Sequence, residues 1–138
     1  MKILLQDVML TRTDLKVEVH RLTPDAAATI EEVEHSMGID ISRQTENIIL
    51  ARFDFNLAHK HGVYSLGVSY TGQFQLMEPG AAMDDPVELA ACCGARLFPY
   101  VRELVIQLTA KIPLIKPIAL NPTLGEPDFL KESALIRQ

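Results

Sequence analysis

The sequence predicts an α+β fold: a β-sheet with one apolar and one polar face, and a long helix covering the apolar face. Three observations carry this reading. The segments I-I-L-A-R-F-D-F-N-L-A and V-Y-S-L-G-V-S-Y-T-G-Q-F-Q-L alternate apolar with small or polar residues, the period of half-buried strands. Only H-K-H-G lies between them, short enough for an antiparallel hairpin. A third stretch, G-A-R-L-F-P-Y-V-R-E-L-V-I-Q-L-T-A-K-I-P-L, has helical periodicity and more apolar surface than contact with one sheet would use.

Taken in order, residues Ile3 to Val19 read as one long, bent strand. Leu15, Val17 and Val19 alternate there with Asp14, Lys16 and Glu18. From Thr23 to Gly38 the local signal is helical, with Thr23 as N-cap, Pro24 at the first helical position and Gly38 as the stop. Ile30, Val33 and Met37 form its stripe, with Glu31, Glu32 and Glu34 off it. A short strand carrying Ile39 and Ile41 follows. In the hairpin, Ile49, Ala51, Phe53, Phe55 and Leu57 are the apolar row of one strand. Tyr64, Leu66, Val68, Tyr70, Phe74 and Leu76 are the row of the other. A two-residue turn at His61-Gly62 pairs odd positions with even ones and puts both rows on one face. On this register Val68→Asp buries a charge, while Ser69→Asp lies on the polar face and is nearly neutral.

The long helix is predicted to start with Asp85 as N-cap, Pro86 at the first helical position and Glu88 as the capping-box acid. It should loosen at Gly94 and kink or start afresh near Arg96 because of Pro99. Leu97, Val101, Leu104, Val105 and Leu108 form its stripe, and Phe98, Ile106 and Ala110 lie off it. The surplus apolar surface calls for a second subunit, with Phe98, Val101, Val105 and Ile106 as candidate interface residues. I-P-L-I-K-P-I-A-L-N-P-T-L-G-E-P holds four prolines and reads as an apolar extended loop. A last helix is expected from Asp128 to about Ile136.

Composition narrows the function. The 138 residues suit one domain, 1–138, with 48 % hydrophobic residues and a net charge of −5. There is no basic stripe for nucleic acid and no apolar run near the ~20 residues of a membrane span. The N-terminus lacks the pattern of a signal peptide, and two adjacent cysteines, Cys92 and Cys93, suit a reducing compartment; the expectation is a cytoplasmic protein. No phosphate loop, G-x-S-x-G elbow or H-E-x-x-H is present. Asp84-Asp85 reads as capping, His59 and His61 as turn residues, and the cysteines as buried helix residues. No enzyme, metal or cofactor is expected.

The segment L-F-P-Y-V-R-E-L-V, Leu97 to Val105, resembles the core signature of the SecB family of export chaperones. In that family an L-F-P-Y-A-R-E motif leads a long helix and an apolar, proline-containing loop follows; here the loop is I-P-L-I-K-P-I-A-L-N-P. G-Q-F-Q-L stands where the family has G-G-I-F-S-I, and the resemblance spans roughly Leu5 to Leu130. It implies a four-stranded antiparallel sheet with the long helix and a short C-terminal helix on one face. It also implies an irregular crossover over Leu22 to Met37, and a homotetramer built as a dimer of dimers.

Functionally, the resemblance implies an ATP-independent holdase. It would bind unfolded or precursor polypeptides and pass them to SecA. The expected client groove is Ile112, Leu114, Ile115 and Ile118 on the loop, with Phe129 and Leu130 on the last helix. Asp14 and Glu18 match two acids of the family's SecA-docking surface, but the further positions fall at Gly67 and Ser65. The family's zinc-binding tail has no counterpart up to Gln138, so SecA binding is expected to be weak. Two other readings stand beside this one: a dedicated chaperone of one partner, such as an antitoxin, and a non-chaperone oligomeric binding protein that reuses the fold.

Overall fold

A computed structural model of the chain describes residues 3–29, 32–77 and 86–120. Four strands, β1 (Ile3–Val17), β2 (Val33–Arg43), β3 (Ile48–His59) and β4 (Tyr64–Leu76), form one antiparallel sheet in the order β1-β4-β3-β2. A 3-10 turn (Val19–Arg21) and one helical turn, α1 (Pro24–Ala27), lie in the crossover, and the long helix α2 spans Pro86–Thr109. The architecture is α+β, as the alternation predicts.

The hairpin β3–β4 is the centre of the core. Ile49, Ala51, Phe53 and Phe55 are each 0 % exposed, as are Val68 and Phe74. Each large side chain buried this way contributes about 1.5–3 kcal/mol. The register places Phe55 opposite Val68 and Phe53 opposite Tyr70, the odd-with-even pairing expected from the sequence. The connection has four residues rather than two, Lys60 to Val63. The Gly62 N–H donates to the His59 carbonyl at 3.0 Å, and Gly62 sits at φ +73°, a conformation that suits glycine.

β1 keeps the core face apolar with two bulges. Ile3 and Leu5 pair with Leu76 and Phe74, but Val8 and Leu10 pair with Gly72 and Tyr70. The register slips by one residue at Gln6 and again at Thr11, so the inward row moves from odd to even positions and back to Leu15 and Val17. This is the bend expected in the strand.

Two expectations are corrected here. The helix over Thr23 to Gly38 is only one turn long. Thr23 does cap it, accepting from the Ala26 N–H at 3.2 Å, but β2 begins at Val33. Val33 and Met37 are four apart, which satisfies a helix and a strand equally; His35, Ile39 and Ile41 satisfy only the strand. Pairing along the whole apolar row of β3 decides the matter over local propensity. The irregular crossover to Met37 implied by the family resemblance is shortened for the same reason. Second, α2 is one continuous helix through Gly94 and Pro99, with no fresh start near Arg96. Pro99 lies on the exposed side, where water can replace the hydrogen bond its ring removes. Pro86 is the first described residue of the helix; Asp85 lies outside the described residues, as does the expected helix from Asp128.

Helix α2 packs closely because β4 presents Gly72. A Cβ there would meet Leu97 Cδ2 at 2.8 Å and Leu5 Cδ1 at 3.1 Å. On the opposite face alternation alone misleads at one position. Ser69 is 1 % exposed and its hydroxyl donates to Asp54, so Ser69→Asp would set two carboxylates against each other and is not neutral. Ser65, opposite Lys16 on the same face and half-buried, is the better contrast. Val68→Asp should cost several kcal/mol and abolish the folded state. Ser65→Asp should cost under about 1 kcal/mol. Thermal melting of the two variants side by side checks this, and equal tolerance would reject the register.

Candidate functional site

Among the described residues, β2 has a partner strand on one side only. The backbone shows which of its groups face outward. Lys60 N–H donates to the Glu32 carbonyl at 2.8 Å and Gln44 N–H to the Ile48 carbonyl at 2.9 Å. Even positions of β2 therefore bond to β3, and the antiparallel alternation turns the N–H and C=O of Val33, Met37, Ile39 and Ile41 away from it. The side chains of these same residues are half-buried against the core. Pairing with β3 is unbroken from Val33 to Arg43, with no proline or lysine in the strand. Such an edge is competent to accept a further extended segment.

The uncovered face of the sheet is a charge network. Arg52 Nε donates to both carboxylate oxygens of Asp54, at 3.0 and 3.1 Å. Arg12 Nε donates to Asp14 at 2.8 Å and its Nη2 to the Asn56 side-chain oxygen at 3.2 Å. Gly67 leaves room for this guanidinium: a Cβ there would lie 2.2 Å from Arg12 Nη2. An open cleft of about 360 Å³ runs across the face between Arg12 and Asp14 on β1 and Glu34 on β2. Burial would raise the carboxyl pKa of Asp54. Hydrogen bonds from Arg52 and Ser69, with the charges of Arg52 and Arg12, outweigh it and hold the carboxyl below its ordinary range.

The candidate SecA-docking acids both lie at this end of the molecule. Asp14 is exposed and paired with Arg12. Glu18 lies just past β1, between Lys16 at 3.4 Å and His20 at 3.8 Å.

The expected client groove divides. Ile112 and Ile115 are buried, at 3 % and 7 % exposure, whereas Leu114 is 63 % exposed and Ile118 half-buried. Phe129 and Leu130 lie outside the described residues. The candidate interface residues divide too. Phe98, Val101 and Val105 are at most 1 % exposed within a single chain, so they belong to its own core; Ile106 is half-buried. Phe98 falls off the stripe drawn from the sequence, yet it is core because α2 buries a face wider than one stripe. The exposed apolar surface lies elsewhere: Leu4, Met9 and Leu10 on β1 and Tyr100 on α2, with the Tyr100 ring 5.8 Å from Tyr70.

The β2 edge went unseen in the sequence, although V-E-H-S-M-G-I-D-I-S alternates throughout and would have marked it. Cys92 and Cys93 are buried in α2. Among the described residues no group of three His, Cys, Asp or Glu is placed to hold a metal ion, and no helix is long and apolar enough to cross a membrane.

Among the described residues, the sheet order, the crossover and one long helix on one face define a SecB-like fold. Among solved structures, the chain is similar to the Mycobacterium tuberculosis Rv1957 SecB-like chaperone in complex with a ChAD peptide from the Rv1956 HigA1 antitoxin. The TM-score is 0.59 at 22 % identity, over 86 % of this chain and 89 % of that one. It is also similar to a protein of unknown function from Streptococcus agalactiae, with a TM-score of 0.51 at 8 % identity, over 87 % of this chain and 97 % of that one. No family model and no curated protein matches the sequence.

The Asp54 network predicts an acid limb of stability. The folded carboxyl titrates below its free value of about 3.9, so its stabilisation is complete above that value and is lost as pH falls through the lowered one. Asp54→Asn should cost about 1 kcal/mol at pH 7 and make the loss of stability below pH ~4 shallower. Urea melts of both proteins between pH 2 and pH 7 measure this; parallel pH profiles would remove Asp54 from the account.

Proposed function

We propose that the chain is an ATP-independent holdase that captures unfolded polypeptides in extended form. The observation that carries this is the regular, one-sided β2 edge, which offers main-chain hydrogen bonds to any sequence and half-buried apolar side chains beside them. Main-chain pairing gives affinity without sequence preference, and the flanking apolar surface adds selectivity for segments that a folded protein would bury. Leu114 and Ile118 are the parts of the expected loop groove left accessible for further client contact. The likeness to a SecB-like chaperone supports the same reading. That neighbour is seen with an antitoxin peptide, which favours a dedicated single-partner chaperone as the second reading. Delivery to SecA would rest on Asp14 and Glu18 and be weak and salt-sensitive, because both are exposed rim charges. The protein would act in the cytoplasm.

Met37→Pro removes an outward N–H at the middle of the edge and leaves the pairing with β3 intact. It should weaken binding of a denatured client about tenfold or more, worth roughly 1.4 kcal/mol, with Tm within a few degrees of wild type. Unchanged affinity would take the edge out of the mechanism. Several unrelated denatured proteins bound equally well support a general holdase, whereas one bound alone supports the dedicated reading.

The exposed Leu4, Met9, Leu10 and Tyr100 also support assembly as a homotetramer. Light scattering coupled to size exclusion should give four times the 15.4 kDa chain mass. A monomer at micromolar concentration would reject the assembly.

A further inference from the structure

His59 ends β3 and is 3 % exposed, and both ring nitrogens are engaged by groups of fixed polarity. Nε2 lies 3.0 Å from the Thr29 carbonyl and 3.1 Å from Thr29 Oγ1. The Thr29 hydroxyl spends its proton on the Ala26 carbonyl at 2.8 Å, so toward His59 it is an acceptor too. Nε2 therefore carries the hydrogen. Nδ1 accepts from the His61 backbone N–H at 3.2 Å and must be bare. The contacts suit one tautomer, with hydrogen on Nε2, and the ring ties the crossover (Thr29) to the hairpin turn (His61). A second proton could go only on Nδ1, where it would meet the His61 N–H.

We infer that His59 is a proton-sensitive latch: acid protonates Nδ1, the bond to the turn breaks, and the crossover before β2 is released from the hairpin. The apolar residues uncovered first would be Leu22, Ala26 and Val33, which lean on the core from that side.

The charged and titratable groups around the ring set the balance. His61 Nε2 lies 2.5 Å from Glu32 Oε2, a second tie between turn and crossover that protonation of His61 would strengthen. That pair is exposed, at 62 % and 51 %, and exposed pairs contribute little. Arg21, in the 3-10 turn at the start of the crossover, donates to the His61 carbonyl at 3.4 Å, so the part that acid releases lies after it, toward Thr29. Lys16 and Glu18 line the opening beside His59 and pair with each other. Tyr64, whose ring lies 5.6 Å from that of His59, is pushed up to about 12 by burial and stays neutral. The latch does not depend on what the chain binds.

Two-dimensional nitrogen–proton NMR of the full chain reads the ring tautomer directly. Hydrogen exchange of the Lys60 and His61 amides, corrected for intrinsic rate, reads release of the crossover. At pH 7.5 His59 should show hydrogen on Nε2 only. On acidification the opening should rise by up to about tenfold per pH unit, the slope of one proton. His59→Gln keeps a donor toward Thr29 without titrating and should abolish that slope; His61→Gln should keep it. The latch is overturned by hydrogen on Nδ1 at neutral pH, by a ring that protonates while both amides stay protected, or by an unchanged slope in His59→Gln. If His59→Gln does not fold, the titration of the wild-type ring against its own amides decides alone.

Discussion

One face of a four-stranded sheet must be apolar along its whole length, and side chains alternate with a period of two. Almost everything else in this molecule follows from holding that phase. In β3 the odd residues point to α2 and in β4 the even ones do, and the hairpin register locks the two rows together. A slip of β3 by one residue would turn Phe53 and Phe55 outward together, while Phe74 on β4 stayed inward. β1 is too irregular in sequence to keep phase unaided, and the bulges at Gln6 and Thr11 restore it. Gly72 is the counterpart on β4, giving up a side chain so that Leu97 can reach the sheet.

The two edges resolve the same constraint differently. On β1 the bulges interrupt the ladder and turn Met9 to the uncovered face, where Leu4 also lies. Interrupted ladders resist addition of a further strand, so β1 offers apolar side chains more than backbone. β2 has no bulge, so its outward N–H and C=O groups stay evenly spaced. The proposed division of labour follows: subunit contact through apolar side chains of β1 and α2, and client contact through the backbone of β2. The uncovered face does not compete for apolar clients, since Arg12, Arg52, Asp14 and Asp54 cross its middle.

The sequence made the covered face, the hairpin register and the long helix legible because each rests on a repeated period over ten or more residues. It did not reveal where β2 begins, because Thr23-Pro24 is a sound helix start and Val33 and Met37 fit both periods. What settles β2 is its pairing with β3, a contact that no local window contains. Phe98 lies off the stripe yet is 1 % exposed within one chain, for a related reason. A helix lying over a sheet buries a broad face, and a stripe drawn at 3.6 residues per turn underestimates its width. Ser69 misled because alternation assigns a residue to a face but says nothing of how crowded that face is. His59 was read as a turn residue; its burial depends on Thr29, thirty positions away.

The loop after α2 shows how a segment with the composition of a binding groove can instead close a core. The Thr109 hydroxyl donates to the Val105 carbonyl at 2.8 Å and accepts from the Ile118 N–H at 2.8 Å, so the helix end and the returning loop share one side chain. Arg102 Nε donates to the Leu120 carbonyl at 2.9 Å, pinning the loop alongside α2. Between these ties the chain must send Ile112 and Ile115 inward, three positions apart. Leu114 is the residue that turns, at φ +67°, where a leucine costs about 1–2 kcal/mol. Burial of Ile112, Ile115 and Leu120, at roughly 1.5–3 kcal/mol each, offsets that cost. The strain and the exposure of Leu114 thus have one cause: its outward side chain is the consequence of two inward ones, and any client contact it makes is built on a loop held in place for another reason.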